Sequence, residues 1–466
     1  MLLRFAVSNF RSIRDEQELS LVASQAIKDD PQALIETPAL RKDKALPAAL
    51  IYGANASGKS NVVEALRFMC RMVLDSHTDL KPGAPLGRPP FRLAPGWPEK
   101  ESRFDLTFVH EGVRYQYGFT ALDDRFGSEW LYSWPSGSRR ELFMREGQEF
   151  SFGRFLKGDN QLIARNTKAN SLFVSAAAQN NHEQLGFIYG FFSSLYFNLA
   201  VSPSRSGVAR HLARFMLDVR AMKFLEALDT GIKSIDITSE SMVERLQQFG
   251  VSVNDQNLEA ILGNDFDVKK ASEIQHNEVK IGHSVGNGNL EFFGINDESS
   301  GTVRLFVVLG PIFEALDRGS IMIIDEIDSS LHTRACEQII ALFQSPKSNP
   351  KGAQLIATTH DTNLLNPDLL RRDQVWFTEK DDEGATHLYP LTDIHTRKGD
   401  NIEKGYLQGR FGAVPFAGSV DDFIKMDLGD GTKRQFEPPP GEAGAAAADH
   451  HLLRGRKHGA GLFSCA

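Results

Sequence analysis

The sequence predicts an α/β fold in which a mixed β-sheet is flanked by helices and a mostly helical segment is inserted into the middle of the chain. Three apolar runs, residues 46–52, 320–326 and 354–360, have the continuous Ile, Leu, Met and Ala content of strands buried on both faces of a sheet. Residues 60–74 and 303–316 instead repeat their apolar side chains at helical spacing. Strands that alternate with helices along a chain predict a sheet covered by helices.

The N-terminal part of the chain is predicted to add an antiparallel lobe. Its apolar and polar side chains alternate as in half-buried strands, with predicted turns at residues 9–12 and 110–112. The predicted strands of the lobe are residues 2–8, 17–22, 103–110, 113–121 and 128–133.

These elements divide the chain into four predicted regions. Residues 1–165 hold the first half of the α/β core together with the antiparallel lobe, and residues 166–275 form the mostly helical insertion. Residues 276–417 hold the second half of the core and begin with strand-like residues. Residues 418–466 are rich in Pro, Gly and Ala, a composition that predicts a divergent tail without stable structure.

Composition predicts a soluble protein of the cytoplasm. Of 466 residues, 41% are hydrophobic and 24% are charged, as in ordinary globular proteins. The three cysteines are too far apart for a disulfide framework or a metal-ligand motif, which fits a reducing compartment. The apolar runs are too short to cross a bilayer, so no membrane contact is expected. A net charge of −8 gives no overall basic field for nucleic acid, although a local basic patch would not be visible in that sum.

A glycine-rich loop connects the first buried strand to the helix that follows it. Its sequence, GANASGKS, is a complete G-x-x-x-x-G-K-[S/T] motif, in which glycines let backbone N–H groups approach the phosphates of a nucleotide. Lys59 is predicted to bind the β- and γ-phosphates, and Ser60 to coordinate Mg²⁺. The predicted nucleotide-binding residues of the loop are Gly53, Ala54, Asn55, Ala56, Ser57, Gly58, Lys59, Ser60 and Asn61.

Two acidic residues end the second buried strand. Asp325 lies at the carboxyl end of this strand, where parallel sheets gather their ligands, and is predicted to bind Mg²⁺ together with Ser60. Glu326 is offset by one residue and is predicted to orient and deprotonate the water that attacks the γ-phosphate. The long separation of Lys59 from Asp325 disfavours a simple kinase or a small GTPase, in which these elements lie close together in sequence.

Two further motifs precede and follow these acids. Ser299, Ser300 and Gly301 stand at the start of a predicted helix, where hydroxyl and N–H groups can bind an anion. His360 follows the third buried strand, where an imidazole can hydrogen-bond a γ-phosphate and sense its presence. Taken alone, the first motif would be a helix cap and the second a surface histidine, so their order along the chain decides the interpretation.

That order resembles the ABC-type P-loop ATPase head, and within this superfamily the RecF/OLD-like branch. The resemblance implies that Ser299, Ser300 and Gly301 form a signature motif, which binds the γ-phosphate of a nucleotide held by a second subunit. It also implies that Asp328 lies in a loop that contacts the second subunit, and that Arg11 of the Asn-Phe-Arg-Ser segment approaches the nucleotide. ATP and Mg²⁺ are the expected ligands.

Residues 1–415 resemble most closely a bacterial family of stand-alone ATP-binding proteins, including the segment Glu129-Trp-Leu-Tyr. Several members are implicated in defence against phage, alongside a nuclease encoded by a neighbouring gene. The resemblance implies an ATPase that closes head-to-tail on ATP as a homodimer, or within a larger assembly, and acts as a regulatory switch for a separate nuclease or toxin effector.

Other functions remain open at this point. A RecF-like clamp in DNA repair would make DNA a partner, and an interaction scaffold would bind ATP with negligible hydrolysis. An in-chain nuclease is the weakest alternative, because no Toprim, HNH or zinc-hook pattern is present. No glutamine stands clearly in the place of the Q-loop residue of ABC-type ATPases; Gln116, within a predicted hairpin, is the available candidate.

Overall fold

A six-stranded sheet covered on both faces forms the core of the structure. The computed structural model describes residues 1–27, 34–198, 218–241, 275–285, 288–396 and 400–413. The strands are β1 (Leu2–Ser8), β2 (Gln17–Ser20), β3 (Ala48–Gly53), β4 (Ser102–His110), β5 (Val113–Ala121), β6 (Phe126–Trp134), β7 (Arg140–Glu146), β8 (Glu149–Phe152), β9 (Leu195–Asn198), β10 (Ile232–Ser241), β11 (Gln275–Ser284), β12 (Leu290–Gly294), β13 (Ile321–Ile324), β14 (Gln354–Thr358), β15 (Val375–Lys380) and β16 (Thr386–Pro390). The α-helices are α1 (Lys59–Asp75), α2 (Asn160–Asn166), α3 (Phe173–Gln179), α4 (Glu183–Ser193), α5 (Val219–Ala227), α6 (Ser300–Arg318), α7 (Thr333–Gln344) and α8 (Ile402–Leu407).

The core sheet has the strand order β16-β15-β3-β14-β13-β9. Neighbouring strands in this sheet are parallel, except that β15 and β16 are antiparallel. Ile324 of β13 stands opposite Ala357 of β14 and Asn198 of β9, so these strands end at one level of the sheet. The residues that follow them, together with the glycine-rich loop after β3, are therefore gathered along one edge.

The side chains on the two faces of the core sheet pack into two separate hydrophobic clusters. Ala49 and Ile51 of β3 pack into one cluster with α1 and the antiparallel lobe. Ala48, Leu50 and Tyr52 pack into the other, with α6 and α7. A strand that buries both of its faces is apolar at every position, which is why the sequence predicted it as a continuous run. The predicted α/β fold, with a mixed sheet and flanking helices, is confirmed.

The antiparallel lobe is a seven-stranded sheet with the order β2-β1-β4-β5-β6-β7-β8. The predicted hairpin is present, since His110 of β4 pairs with Val113 of β5 and both Glu111 and Gly112 have positive φ values, 46° and 75°. The hairpin of β7 and β8 was not predicted, because its short strands carry many exposed polar side chains. Helix α1 lies between this lobe and the core sheet, since its buried face belongs to the cluster that both share.

The range 166–275 differs in part from the predicted mostly helical insertion. Helices α3, α4 and α5 lie within it, but so do β9, which belongs to the core sheet, and β10. Strand β9 has only four residues, a length at which periodicity cannot separate a strand from the end of a helix. Strands β10, β11 and β12 form a small antiparallel sheet, in agreement with the strand-like residues predicted at the start of region 276–417.

All of the described residues belong to one unit, residues 1–415, and the predicted tail at 418–466 lies outside them. Across the part of the chain that the structure covers, no helix combines the length and the apolar character needed to span a membrane.

Candidate functional site

The glycine-rich loop turns sharply from β3 into α1. Gly58 has a φ of 112°, and a Cβ atom at this position would overlap the side chain of Thr386 on β16. A Cβ atom at Gly53 would overlap Thr378 on β15. Ala56 also has a positive φ, 63°. The loop therefore packs closely against the sheet and leads into the N-terminus of α1, where the helix dipole favours an anion.

Two threonines that were not identified from the sequence hold this loop in place. Thr378 Oγ1 lies 2.6 Å from Ser57 Oγ, and Thr386 Oγ1 donates a hydrogen bond of 2.9 Å to the Ser57 carbonyl. Ser12 Oγ, in the N-terminal turn, lies 2.7 Å from Thr386 Oγ1. These threonines lie far along the chain and belong to no motif, so only the pairing of strands brings them to the loop.

Lys59 begins α1 and is 5% exposed. Its ammonium group donates hydrogen bonds to the carbonyls of Gly53 at 2.8 Å and Ala54 at 3.0 Å. Burial lowers the pKa of Lys59 to about 8, although the nearby carboxylates of Asp325 and Glu326 act in the opposite direction. A buried ammonium held inside the loop gives the site a positive charge for a phosphate group.

Ser60 and Asp325 meet at the sheet edge, as the sequence predicted for a shared metal ion. Oδ1 of Asp325 accepts a hydrogen bond from Ser60 Oγ at 3.1 Å and a second from Thr358 Oγ1 at 2.6 Å. Thr358 ends β14, the strand next to Asp325, and is fully buried. The strand register thus orients the Asp325 carboxylate through Thr358, a role that the sequence motifs did not indicate.

Glu326 leaves the end of β13 with a φ of 52°, which is uncommon for a residue other than glycine. Its backbone N–H donates a hydrogen bond of 2.7 Å to Thr358 Oγ1. The same hydroxyl therefore contacts the carboxylate of Asp325 and the amide of Glu326. This shared contact fixes the two acidic residues relative to each other at the edge of the sheet.

His360 lies between Lys59 and the loop that follows Glu326. Its Nδ1 is 3.5 Å from Lys59 Nζ, and its backbone N–H donates a hydrogen bond of 3.1 Å to Asp328 Oδ2. Burial, followed by the positive charge of Lys59, lowers the pKa of His360, so the imidazole is neutral at pH 7. Asp328 Oδ1 is buried and has no hydrogen-bond partner within the described ranges.

The turn Ser299–Gly301 is at the surface. Ser299 caps α6, since its Oγ accepts a hydrogen bond of 3.1 Å from the N–H of Thr302, and both Ser299 and Ser300 are exposed. A Cβ atom at Gly301 would lie 2.7 Å from the carbonyl oxygen of Ser330. The turn therefore packs on the loop that follows Asp328. Among the residues that the structure describes, no hydrogen bond joins this turn to the glycine-rich loop of the same chain.

The N-terminal turn places Arg11 beside the first turns of α1. Arg11 has a φ of 51°, and its guanidinium lies 3.5 Å from Asn61 Oδ1 and 3.5 Å from a carboxylate oxygen of Glu64. Asn61 Nδ2 in turn donates a hydrogen bond of 2.6 Å to Ser12 Oγ. Arg11 is thus near the end of the glycine-rich loop, and its role toward a nucleotide stays a prediction.

Two other residues at the sheet edge were missed by the sequence analysis. Asn198, the last residue of β9, accepts a hydrogen bond of 2.9 Å at Oδ1 from Arg304 of α6. Arg304 also reaches the carbonyl oxygen of Asp325 at 3.5 Å. No local signal marks this pair, since β9 was not separated from the neighbouring helix. The weaker candidate Gln116 donates instead to Asp105 on the neighbouring strand of the antiparallel lobe.

The residues at this edge fit a magnesium ion that is shared with a nucleotide. Ser60 and Asp325 supply a hydroxyl and a carboxylate oxygen, and Mg²⁺ commonly binds one or two such protein groups together with substrate phosphates and water. Throughout the described part of the chain, no cluster of three or more His, Cys, Asp or Glu residues could hold a metal ion by itself.

Sequence and structure comparisons connect this arrangement with known proteins. Residues 48–366, more than half of the chain, match the family described as "AAA domain, putative AbiEii toxin, Type IV TA system". Among solved structures, the chain is similar to the SmcHead bound to the C-winged helix domain of ScpA, with 14% identity, a TM-score of 0.37, and coverage of 84% of this chain and 97% of that chain. The Smc head domain with an extended coiled coil, bound to the C-terminal domain of ScpA derived from Pyrococcus furiosus, is similar at 12% identity and a TM-score of 0.36, with coverage of 84% of this chain and 96% of that chain. No curated protein matches the sequence.

Proposed function

Because the chain belongs to this AAA-domain family of the AbiEii type, and is thus a P-loop ATPase of the ABC/AAA kind, we propose that it binds ATP with Mg²⁺ and hydrolyses the γ-phosphate. One observation carries the proposal: Ser60 of the glycine-rich loop and Asp325 of β13 meet at 3.1 Å, with Glu326 as the next residue. The proposal therefore assigns the phosphate loop, the metal-binding pair and the general base to one edge of the sheet.

Each polar residue of the edge has a distinct part in the proposed reaction. The ammonium group of Lys59 gives up its hydrogen bonds to the loop carbonyls and binds the β- and γ-phosphates instead. Ser60 and Asp325 would hold Mg²⁺, which would supply positive charge beside the phosphate oxygens. Glu326 orients the attacking water and accepts its proton, and Thr358 keeps the Glu326 backbone in place.

His360 and Asp328 form the proposed sensor of the γ-phosphate. The neutral imidazole of His360 can donate a hydrogen bond to a phosphate oxygen, and its Nδ1 already lies 3.5 Å from the Lys59 ammonium. Movement of His360 would displace Asp328, because the backbone N–H of His360 donates a hydrogen bond to the Asp328 side chain. Loss of the γ-phosphate is in this way transmitted to the loop after Glu326.

The active form is proposed to be a head-to-tail homodimer with two ATP molecules at its interface. The exposed turn Ser299–Gly301, at the N-terminus of α6, supports this proposal because it presents hydroxyl and N–H groups at the surface. In the dimer this turn would bind the γ-phosphate held by the other subunit. ATP can drive closure only to the extent that it binds the closed state more tightly than the open one.

A substitution at the candidate base tests this proposal. With Glu326→Gln, turnover is expected to fall by a factor of about 100 or more while ATP still binds, because the general base is lost and the phosphate contacts remain. Size-exclusion chromatography with light scattering is expected to show the variant as a dimer in ATP·Mg²⁺. Glu337→Gln is the matched control, since Glu337 lies on α7 in a surface ion pair with Arg334. A variant that binds ATP and stays monomeric would exclude the head-to-tail dimer, and a wild-type protein without turnover would exclude the ATPase.

The switch is proposed to control a separately encoded effector, such as a nuclease or a toxin, in defence against phage. The family description, which names a toxin of a Type IV TA system, supports a two-component context. Co-purification of a neighbouring gene's product with the wild-type protein, and its loss with Lys59→Ala, is the expected result.

Two other outcomes of the same experiments would replace this role. Turnover stimulated by DNA ends, with a steep dependence on salt, would indicate a DNA clamp. Full function in Glu326→Ala cells together with loss in Lys59→Ala cells would indicate a scaffold that needs bound ATP and not its hydrolysis.

A further inference from the structure

Helix α6 carries both the exposed turn and, about one turn further along, the partly buried Arg304. Gly301 and Arg304 are three residues apart, which is about 4.5 Å along a helix axis. The first turn of a helix moves as a unit, so a displacement of the turn at Gly301 displaces Arg304 as well. Ser299 and Ser300 of this turn are exposed, whereas the Arg304 guanidinium extends to the edge of the core sheet.

The guanidinium of Arg304 bridges the ends of two parallel strands. Nη1 donates to Asn198 Oδ1 at 2.9 Å, and Nη2 reaches the Asp325 carbonyl oxygen at 3.5 Å. The two strand ends are also joined directly, since the Asp325 N–H donates to the Asn198 carbonyl at 3.0 Å. The three residues therefore form a closed set of contacts that ends at the residue preceding Glu326.

This arginine is not saturated with hydrogen bonds. Its Nε is buried and has no partner among the described residues, and the 3.5 Å contact with Asp325 is at the limit of a hydrogen bond. Arg88, by contrast, bonds Asp123, Ser102 and two backbone carbonyls through all three of its nitrogens. An arginine whose nitrogens all donate hydrogen bonds, such as Arg88, is held in one position. The fewer and longer contacts of Arg304 can change with a small movement of α6.

A second contact connects α6 with the same corner of the sheet. The close approach of Gly301 to the Ser330 carbonyl places the turn directly on the loop that follows Glu326. Arg304 touches the residue before Glu326 and the turn packs on the loop after it. The position of α6 thus affects the chain on both sides of the candidate base.

We propose that Arg304, held by Asn198, is a positioning residue that links the exposed turn of α6 to Asp325 and Glu326, so that Glu326 is set for hydrolysis when the turn is engaged by a nucleotide of the second subunit. This inference rests on the proposed function and adds its internal regulation. It assigns a role to two residues outside the recognised motifs. Arg304 acts through the backbone at Asp325 and does not itself contact the reacting atoms.

The test compares Arg304→Gln and Asn198→Ala with a control on the same helix. Arg318→Gln is that control, because Arg318 lies at the far end of α6 in an exposed ion pair with Glu314. Both test variants are expected to lower kcat at least tenfold with KM and ATP affinity within twofold of wild type, and Arg318→Gln to leave both constants unchanged. The double variant is expected to be no slower than Arg304→Gln alone, since the two residues act through one contact.

Hydrogen exchange without nucleotide tests the contact independently of activity. The backbone amides of Asp325 and Glu326 are expected to exchange faster in Arg304→Gln and Asn198→Ala than in wild type, because the bridge between β9 and β13 is lost. If Arg304→Gln does not fold, Arg304→Lys and Asn198→Ala carry the same comparison.

The possible results separate this inference from the proposed function. Unchanged kcat and unchanged exchange in a hydrolysing protein would overturn the positioning role alone. A loss of activity that follows entirely from weaker ATP binding would also overturn it. Faster exchange in a protein that never hydrolyses ATP would confirm the contact and would overturn the proposed function, and with it the role in hydrolysis.

Discussion

Ser60, in the first turn of α1, donates a hydrogen bond of 3.1 Å to Oδ1 of Asp325 and so connects the glycine-rich loop to the end of β13. The two residues are encoded far apart, and they meet because β3 and β13 both pair with β14. The pairing of the strands thus places the glycine-rich loop next to the carboxylate of Asp325. Thr358, on the strand between them, bonds the same oxygen of Asp325.

The hydroxyl of Thr358 is expected to matter for both stability and turnover. Thr358→Val keeps the shape of the side chain and removes the donor to Asp325 and the acceptor for the Glu326 amide. Since the site is fully buried, the free energy of unfolding should fall by about 1–3 kcal/mol, as measured by urea denaturation. Turnover should fall as well, because the Asp325 and Glu326 positions are loosened. Thr358→Ser keeps the hydroxyl and should retain the turnover of wild type; a Val variant with the turnover of wild type would contradict this role.

The close packing of Gly301 predicts a selective loss of dimerisation. A Cβ atom in Gly301→Ala would lie 2.7 Å from the Ser330 carbonyl, so the turn and the loop cannot keep their present contact. ATP should still bind to the intact glycine-rich loop, while the ATP-dependent dimer should weaken at least tenfold in analytical ultracentrifugation. Gly190→Ala on α4 is the matched control, because nothing lies within 4 Å of a Cβ atom there. If both variants dimerise normally, the turn is not at the subunit interface.

The low pKa of Lys59 predicts a pH-dependent affinity for ATP. Burial lowers this pKa to about 8, so the ammonium loses its proton as the pH rises through that value. A phosphate prefers the charged form, and ATP affinity should therefore be full near pH 7 and about tenfold weaker at pH 9. Titration with a fluorescent ATP analogue measures the effect. Lys59→Met should bind weakly with no such dependence between pH 7 and 9, and a flat wild-type profile would contradict the prediction.

The antiparallel lobe depends on a buried ion pair. Glu129 and Arg145 are both fully buried, 3.6 Å apart, and Glu129 also accepts hydrogen bonds from the N–H groups of Phe173 and Val174 at the start of α3. Arg145→Met leaves the carboxylate uncompensated, and the free energy of unfolding should fall by about 3–5 kcal/mol. Arg125→Met, which breaks an exposed pair with Asp124, should change it little.

The pH dependence of the Arg145→Met defect follows from Glu129. Burial raises the pKa of Glu129, and loss of Arg145 raises it further. For an acid whose pKa is higher in the folded state, stability falls as the pH rises between its unfolded and folded pKa values. Denaturation of Arg145→Met should therefore show a larger loss of stability at pH 7 than at pH 5. An equal loss of unfolding free energy at pH 5 and pH 7 would contradict the prediction, because it would show that the defect does not come from an unpaired Glu129 carboxylate.

Local signals in the sequence predicted the strand, loop and helix around Lys59 and the acids at the end of β13. Each of these signals lies within a short window, as a continuous apolar run or a spacing of glycines. They required no knowledge of which strands become neighbours. The structure brings Lys59, Ser60, Asp325, Glu326 and His360 to one edge, as expected from strands that end at one level. The roles of these residues in catalysis, and the dimer, stay predictions.

The residues that the sequence did not reveal all depend on distant partners. Thr386 is defined by the close approach of β16 to the glycine-rich loop, and Asn198 by the pairing of β9 with β13. A lone Thr or Asn carries no motif, and the four residues of β9 are too few to show a period. Arg304 occupies one position in an otherwise ordinary amphipathic helix, and only the strand beside it explains its orientation.

The strand order of the core sheet also governs when the glycine-rich loop can reach its final structure during synthesis. Strand β3 is encoded at residues 48–53, but its two neighbours, β14 and β15, are encoded after residue 353. At translation rates of roughly 5–20 residues per second, the strands that pack against the glycine-rich loop are synthesised on the order of tens of seconds after the loop itself. In a nascent chain the glycine-rich loop therefore emerges from the ribosome before the strands that pack against it, and it can take its final structure only after β14, β15 and β16 have left the exit tunnel.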